Sequence, residues 1–330
     1  MELRLVCETK YFELDDSVKN VKFDVFNLSN DDNTLINLFG SPDFIKNIGM
    51  IGFETLRRNP HFTSAEDVHY FLNKEVEIPE RLSEKKAELL QMLMTCLWFI
   101  RDCCSNIGKL YVYNSTDKSV FYRMRTVFFS SSKGDYHSSI FSSDEIQYTI
   151  MILSKVIPLL EFDSRHETDL KKKKADKLGE ITPGDFNFHR YNFTSRLQRA
   201  FMFLSMARSN SFLPLKISSY IEIFETLFTT DNSEVSHKVS ERLAFYIGGN
   251  AVEKFENYKL MKTAYGIRSK FVHGQKLDRS IKSIDDLINI STKIDNLTRK
   301  LLTKIVLVDS SVFLQNDNDL NEYLSNIIFE

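Results

Sequence analysis

From residue 193 onward, apolar residues recur every three or four positions with few breaks, and this periodicity limits the possible folds most. A 3.6-residue repeat carried through successive segments with short joints implies antiparallel helices packed in a bundle. The pattern predicts helices over 193–207, 215–228, 233–247, 253–273 and 281–308, with a short last one over 319–328. Leu197, Ala200, Phe201 and Leu204 mark the first stripe, and Ile217, Ile221, Phe224, Leu227 and Phe228 the second. Gly248-Gly249-Asn250 stops the third helix and Gly274 the fourth, where glycine ends helices readily.

The first half of the chain reads differently. Alternating apolar positions over 3–12 and 21–26 predict short strands, separated by Asp-Asp and Ser-Asn-Asp-Asp-Asn turns. A short helix is expected over 44–56, stopped at Arg57-Arg58-Asn59-Pro60, and a longer one over 83–104 with Trp98 as a core anchor. Residues 110–113 and 120–129 read as a hairpin around Asn114-Ser115-Thr116-Asp117. Arg123 and Arg125 share one face of its second strand, which is either a solvated outer face or an RNA contact. A serine-rich loop over 130–143 and a helix over 144–160 follow. Residues 163–188 read as a linker, with a Lys171-Lys172-Lys173-Lys174 run and a Thr182-Pro183-Gly184-Asp185 turn. The reading is α+β: a mixed strand/helix N-terminal domain over 1–185 and an all-α bundle over 186–330.

Composition narrows the function classes. Formal net charge is −2 over 330 residues, so any hold on nucleic acid comes from local patches. Cys7, Cys96, Cys103 and Cys104 lack the spacing of a zinc site and fit a reducing cytoplasm. The N-terminus has acids too early for a signal peptide, and no apolar run is long enough to span a bilayer. No Walker pattern, dinucleotide fingerprint or Gly-x-Ser-x-Gly elbow appears. His61, His69, His137, His166, His189 and His237 are scattered without the i+3 or i+4 pairing of a metal site. No metal and no cofactor is expected, and the chain is expected to be cytoplasmic.

The chemistry concentrates in Tyr265-Gly266-Ile267-Arg268-Ser269-Lys270-Phe271-Val272-His273-Gly274. Arg268 supplies a permanent charge shaped for phosphate. His273 supplies a proton donor or acceptor near neutrality. Five residues on an ideal helix separate them by about 140° around the axis, so they flank a groove rather than project together. Ser269 is four residues before His273 and shares its face, within reach of a hydrogen bond to the imidazole. If Gly274 takes the left-handed position, His273 lies in the last turn, where the helix dipole favours the protonated ring. Residues 251–280 carry seven Lys or Arg, including Lys262, Lys270 and Lys276, against three acids, a local +4. The final 22 residues carry five acids and no Lys or Arg.

Three segments in order carry a family likeness. Ile267 to Gly274 resembles the Arg-x4-6-His motif of HEPN domains, in particular the Apea-like branch. Tyr220-Ile221-Glu222-Ile223-Phe224-Glu225-Thr226-Leu227-Phe228 resembles that branch's Glu-x-Leu-Leu/Phe helix. Ser233-Glu234-Val235, running into Ser240-Glu241-Arg242-Leu243-Ala244-Phe245-Tyr246-Ile247, resembles the helix after it. The likeness covers 193–308 and nothing comparable marks 1–185.

The resemblance implies an all-helical HEPN bundle that forms a homodimer, with two Arg/His motifs meeting in one cleft. It implies a metal-independent endoribonuclease of bacterial antiviral defence, of abortive-infection or toxin type, with RNA as substrate. An antitoxin or a phage-derived trigger is the expected further partner, and no membrane is involved. Carried over by position, Arg268 and His273 are the catalytic pair. Ser269 stands where the family often has Asn, Asp or His, and Glu225 matches an acid that steadies the arginine. Lys270, Lys262 and Lys276 would add charge for the RNA. Other members of the family are non-catalytic modules that bind RNA, a nucleotide or a partner protein, and that alternative stays open here. The N-terminal half is left three roles: selecting RNA, sensing a phage component, or restraining the nuclease.

Overall fold

Antiparallel pairing begins at the second residue. β1 (Glu2–Lys10) lies between β5 (His61–Ser64) and β7 (Asn106–Asn114) in a sheet of order β3-β4-β5-β1-β7-β8, and the two-residue β6 (Val68–His69) pairs with the start of β1. β3 is Val21–Phe23, β4 Phe26–Ser29 and β8 Val120–Met124, while β2 (Phe12–Leu14) pairs in parallel with β9 (Ser139–Phe141). The computed structural model describes residues 2–64, 68–69, 79–161, 194–231 and 234–329. The predicted linker, its lysine run and the expected division near 185 lie outside these residues. The described chain is mixed α+β and separates into two units, Met1–Leu153 and Ser154–Glu330.

In the first unit, α1 (Asp32–Phe39), α2 (Pro42–Ile48) and α3 (Met50–Arg58) close one face of the sheet. Leu35, Phe39, Phe44, Phe53 and Leu56 pack with Val6, Tyr111 and Tyr113 in one apolar cluster. Strand alternation sends Leu110 to the other face, and so does its cross-strand partner Arg123, which donates to Ser83 and Glu80 of α4 (Pro79–Leu97). Arg123 is therefore anchored to the helix beneath it. Trp98 is fully buried, and all four cysteines are buried and form no disulfide. α5 (Ser143–Leu160) follows, and the division between the units falls inside it.

Several predicted boundaries move for identifiable reasons. The helix expected over 44–56 is two helices, broken where Gly49 sits at φ +78°. The strand expected over 21–26 is a hairpin that turns through Asp24 at φ +53°, and β1 ends where Tyr11 takes φ +54°. The Ser-Asn-Asp-Asp-Asn segment read as a turn starts α1, because Asp31 accepts from the Asn33 and Thr34 amides as an N-cap.

The second unit is built around α7 (Leu213–Phe228). Twelve of its sixteen residues are buried, including Ile217, Tyr220, Ile221 and Phe224, so it is covered on nearly every side. Such a helix belongs inside a bundle. It packs against α6 (Arg196–Arg208), α8 (Val235–Ile247), α9 (Ala251–Val272) and α10 (Ile284–Lys304). Tyr220 donates to the buried carboxylate of Asp295 at 2.6 Å, and Asp295 also pairs with Arg299, which ties α10 to the central helix. The predicted helix over 281–308 ends at Lys304 and continues as a wider turn, Ile305–Asp309. A short turn, Val312–Leu314, leads to α11 (Asp317–Phe329). Among the described residues no helix is long and apolar enough to cross a membrane.

Candidate active site

Local sequence fixes both ends of the helix that carries the motif. Asn250 accepts from the Val252 and Glu253 amides, and the Glu253 carboxylate accepts from Asn250 N–H, a reciprocal cap that starts α9. At the other end His273 is the capping residue and Gly274 takes φ +65°. Gln275 N–H donates to Lys270 C=O at 2.8 Å and Gly274 N–H to Phe271 C=O at 3.2 Å. This pair of bonds satisfies carbonyls the helix would otherwise leave open. The left-handed position expected at Gly274 is present, and it places His273 on the surface at the end of the helix.

Arg268 lies five residues earlier and faces α7. Its Nη2 donates to Glu222 Oε1 at 2.8 Å, its Nε donates to the same oxygen at 3.3 Å, and Nη2 reaches Glu225 Oε2 at 3.5 Å. Glu222 and Glu225 are the two acids of the helix, three residues apart and so on one face. Glu225 is the acid expected beside Arg268, but Glu222 is its closer partner. Sequence reading passed over Glu222, although two acids one turn apart on a buried helix signal a cation opposite. The hydrogen bond to Glu222 pushes the Arg268 guanidinium above its ordinary pKa. Burial raises the Glu225 carboxyl, Arg268 draws it back down, and Glu222 adds to the rise. Tyr265 is buried beside these acids, and desolvation with the Glu225 charge raises its hydroxyl strongly.

The carboxylates occupy the Nε–Nη2 edge of the guanidinium. Among the described residues Nη1 makes no hydrogen bond, so its donors stay available to an anion. The Arg268 side chain is 30% exposed. The His273 ring is exposed and likewise makes no hydrogen bond among the described residues. The Ser269 hydroxyl does not bond to the imidazole. Instead His273 N–H donates to Ser269 C=O at 3.0 Å.

The expected basic residues divide into two kinds. Lys270 is committed to Asp278 at 3.0 Å, and Asp278 also accepts from Ser280 N–H, so this pair pins the loop after the helix. Those contacts, the Ser280 amide first, lower the Asp278 pKa to about 2. Lys262 donates to Ser236 Oγ at 3.1 Å and remains exposed. Lys276 is exposed on the loop past Gly274 and makes no ion pair among the described residues. Val272, the residue before the histidine, is 57% exposed, and Phe212, 60% exposed, meets Phe271 with ring centroids 5.8 Å apart.

Among the described residues no group of three or more His, Cys, Asp or Glu is placed to hold a metal ion. No family model matches the chain, and neither does any curated protein or solved structure.

Proposed function

We propose that the second unit is a HEPN-type endoribonuclease of bacterial defence that cleaves RNA without a metal, through Arg268 and His273. The observation that carries this reading is the arrangement around Arg268: a guanidinium gripped along one edge by two carboxylates, its Nη1 donors free among the described residues, five residues before an exposed imidazole at a helix end. A positioned cation beside a solvent-facing acid–base group is what phosphodiester cleavage by an internal nucleophile requires.

In this mechanism the His273 imidazole takes the proton from a ribose 2′-hydroxyl, whose oxygen attacks the adjacent phosphorus. Arg268 Nη1 neutralises charge gathering on the non-bridging oxygens. The P–O5′ bond breaks, and the 5′-oxygen receives a proton from a second imidazole, supplied by His273 of a paired subunit. The products are a 2′,3′-cyclic phosphate and a 5′-hydroxyl. DNA, lacking the nucleophile, is not cut. Pairing of two copies is part of the proposal: each chain brings one His273 imidazole, next to the exposed Val272.

The test compares cells expressing the wild type with cells expressing His273→Ala and Arg268→Ala. Growth arrest with RNA fragmentation in the wild type alone supports the enzyme. Equal growth with intact RNA in all three, with phage infection included as trigger, would favour a binding module.

A further inference from the structure

One side of α9 carries an order that packing of the unit does not require. At 100° per residue, Phe255, Tyr258, Lys262, Gly266, Ser269 and His273 fall within about 80° of one another around the helix. They form one strip over roughly 27 Å of helix axis. The buried residues of α9, Met261, Ala264, Tyr265 and Ile267, lie elsewhere on its circumference. Within the strip Phe255, Lys262, Gly266, Ser269 and His273 are all exposed. Among the described residues a Cβ built on Gly266 would meet nothing within 4 Å, so none of them calls for glycine there. Glycine inside a helix costs about 0.5–1 kcal/mol relative to alanine. Its presence in the strip fits close approach of another molecule's backbone.

At the end remote from His273 the strip opens into a groove of ≈ 500 Å³ between α8 and α9. Its aromatic walls have cations against their rings, Lys254 from within the lining and Lys259 from beside it. Phe255 is 56% exposed and has Lys259 Nζ 4.1 Å from its ring centroid. Lys254 Nζ lies 4.5 Å from the centroid of Phe245. Tyr258 stands edge-on to His237, with its hydroxyl 3.0 Å from Nδ1. Glu241 also lines the groove and offers an acceptor for a base amino group. Flat rings beside ammonium groups suit a ligand that joins a planar base to a phosphate.

We propose that this groove is a base-stacking subsite for single-stranded RNA, and that the strand runs from it along the strip to His273. The proposal rests on the ribonuclease reading for its direction, but the groove's affinity for RNA is measurable without cleavage. Two observations favour RNA over a protein helix as occupant: the cations above the rings, and continuity with His273 along one side of one helix.

The experiment uses the full chain carrying His273→Ala, so that RNA stays intact, and a labelled 12-nucleotide RNA read by fluorescence anisotropy. Adding Phe255→Ala is expected to weaken binding roughly 5- to 150-fold, the range for loss of one base–aromatic stack. Phe255→Trp should restore it, and Lys259→Ala should weaken it with a flatter salt dependence. Phe255 is exposed, so its loss leaves folding intact, which circular dichroism checks. Unchanged affinity in Phe255→Ala, or no RNA binding by the parent, would overturn the subsite. So would a dimer that dissociates on Phe255→Ala, which would make the strip a protein interface. Cleavage by the wild type separates the two claims. Normal cutting by Phe255→Ala removes the subsite and keeps the enzyme, whereas groove-dependent binding with no cutting under any condition keeps the subsite and removes the enzyme.

Discussion

Replacing Glu222 with glutamine keeps the length and shape of the side chain and removes the charge that holds Arg268 most closely. One carboxylate oxygen accepts from both Nη2 and Nε, at 2.8 and 3.3 Å. A hydrogen bond between charged groups contributes about 1.5–3 kcal/mol when sheltered. Here the two side chains are 30% and 32% exposed, so solvent screening brings the coupling toward about 1 kcal/mol. If that coupling serves to keep Nη1 on the scissile phosphate, its loss appears in the transition state. The expected result is a fall in kcat of roughly 5- to 10-fold with KM nearly unchanged, since 1.36 kcal/mol corresponds to a factor of ten. Glu225 lies at 3.5 Å, and Glu225→Gln should cost about twofold. Steady-state cleavage of a fluorophore–quencher RNA measures both. A higher rate in Glu222→Gln would refute the reasoning, because the carboxylates would then be competing with phosphate for the guanidinium. An unchanged rate would show that Arg268 needs no such support.

Other consequences follow from the same geometry. In Arg268→Ala the Glu225 carboxyl loses the charge that draws its pKa down, so its value should climb further. A raised folded-state pKa makes ionisation costly, so the variant should be most stable below glutamate's ordinary 4.5 and lose stability as pH rises through the new value, read by urea denaturation across pH. Asp278 has the opposite sign: its folded pKa of about 2 gives stability that is present above 3.8 and lost as pH falls through 2. Lys270→Ala should move that midpoint upward in an NMR titration. Gly274→Ala forces a side chain into φ +65° and should destabilise by about 1 kcal/mol, with cleavage reduced as His273 shifts.

Helices were legible wherever one face had to be buried. α6 to α10 emerge within a few residues of their predicted ranges because their apolar spacing has one consistent solution. Predicted breaks held at Gly248 and Gly274, where backbone freedom and composition coincide. The first unit was harder for a physical reason. Tyr11 and Asp24 take left-handed conformations that composition does not announce, and Asp31 caps a helix with residues equally suited to a turn. At the site, sequence gives each residue its position along a helix but not which residues meet across helices. Glu222 and Glu225 share a face of α7, and only the packing of α9 decides that Glu222 comes closer to Arg268. The reach of Lys270 to Asp278 was hidden for the same reason, since it depends on the path of the loop after Gly274.

The central claim is that a ribose 2′-hydroxyl is the nucleophile and His273 its proton acceptor. The direct measurement is cleavage of an RNA oligonucleotide in EDTA by purified protein, alongside the same sequence with a single 2′-deoxyribose at the mapped cut site. The account requires cutting of the first with a 2′,3′-cyclic phosphate end, no cutting of the second at that position, and no cutting of either by His273→Ala. Cleavage of the deoxy-substituted strand at the same bond, or undiminished cleavage by His273→Ala, would contradict it.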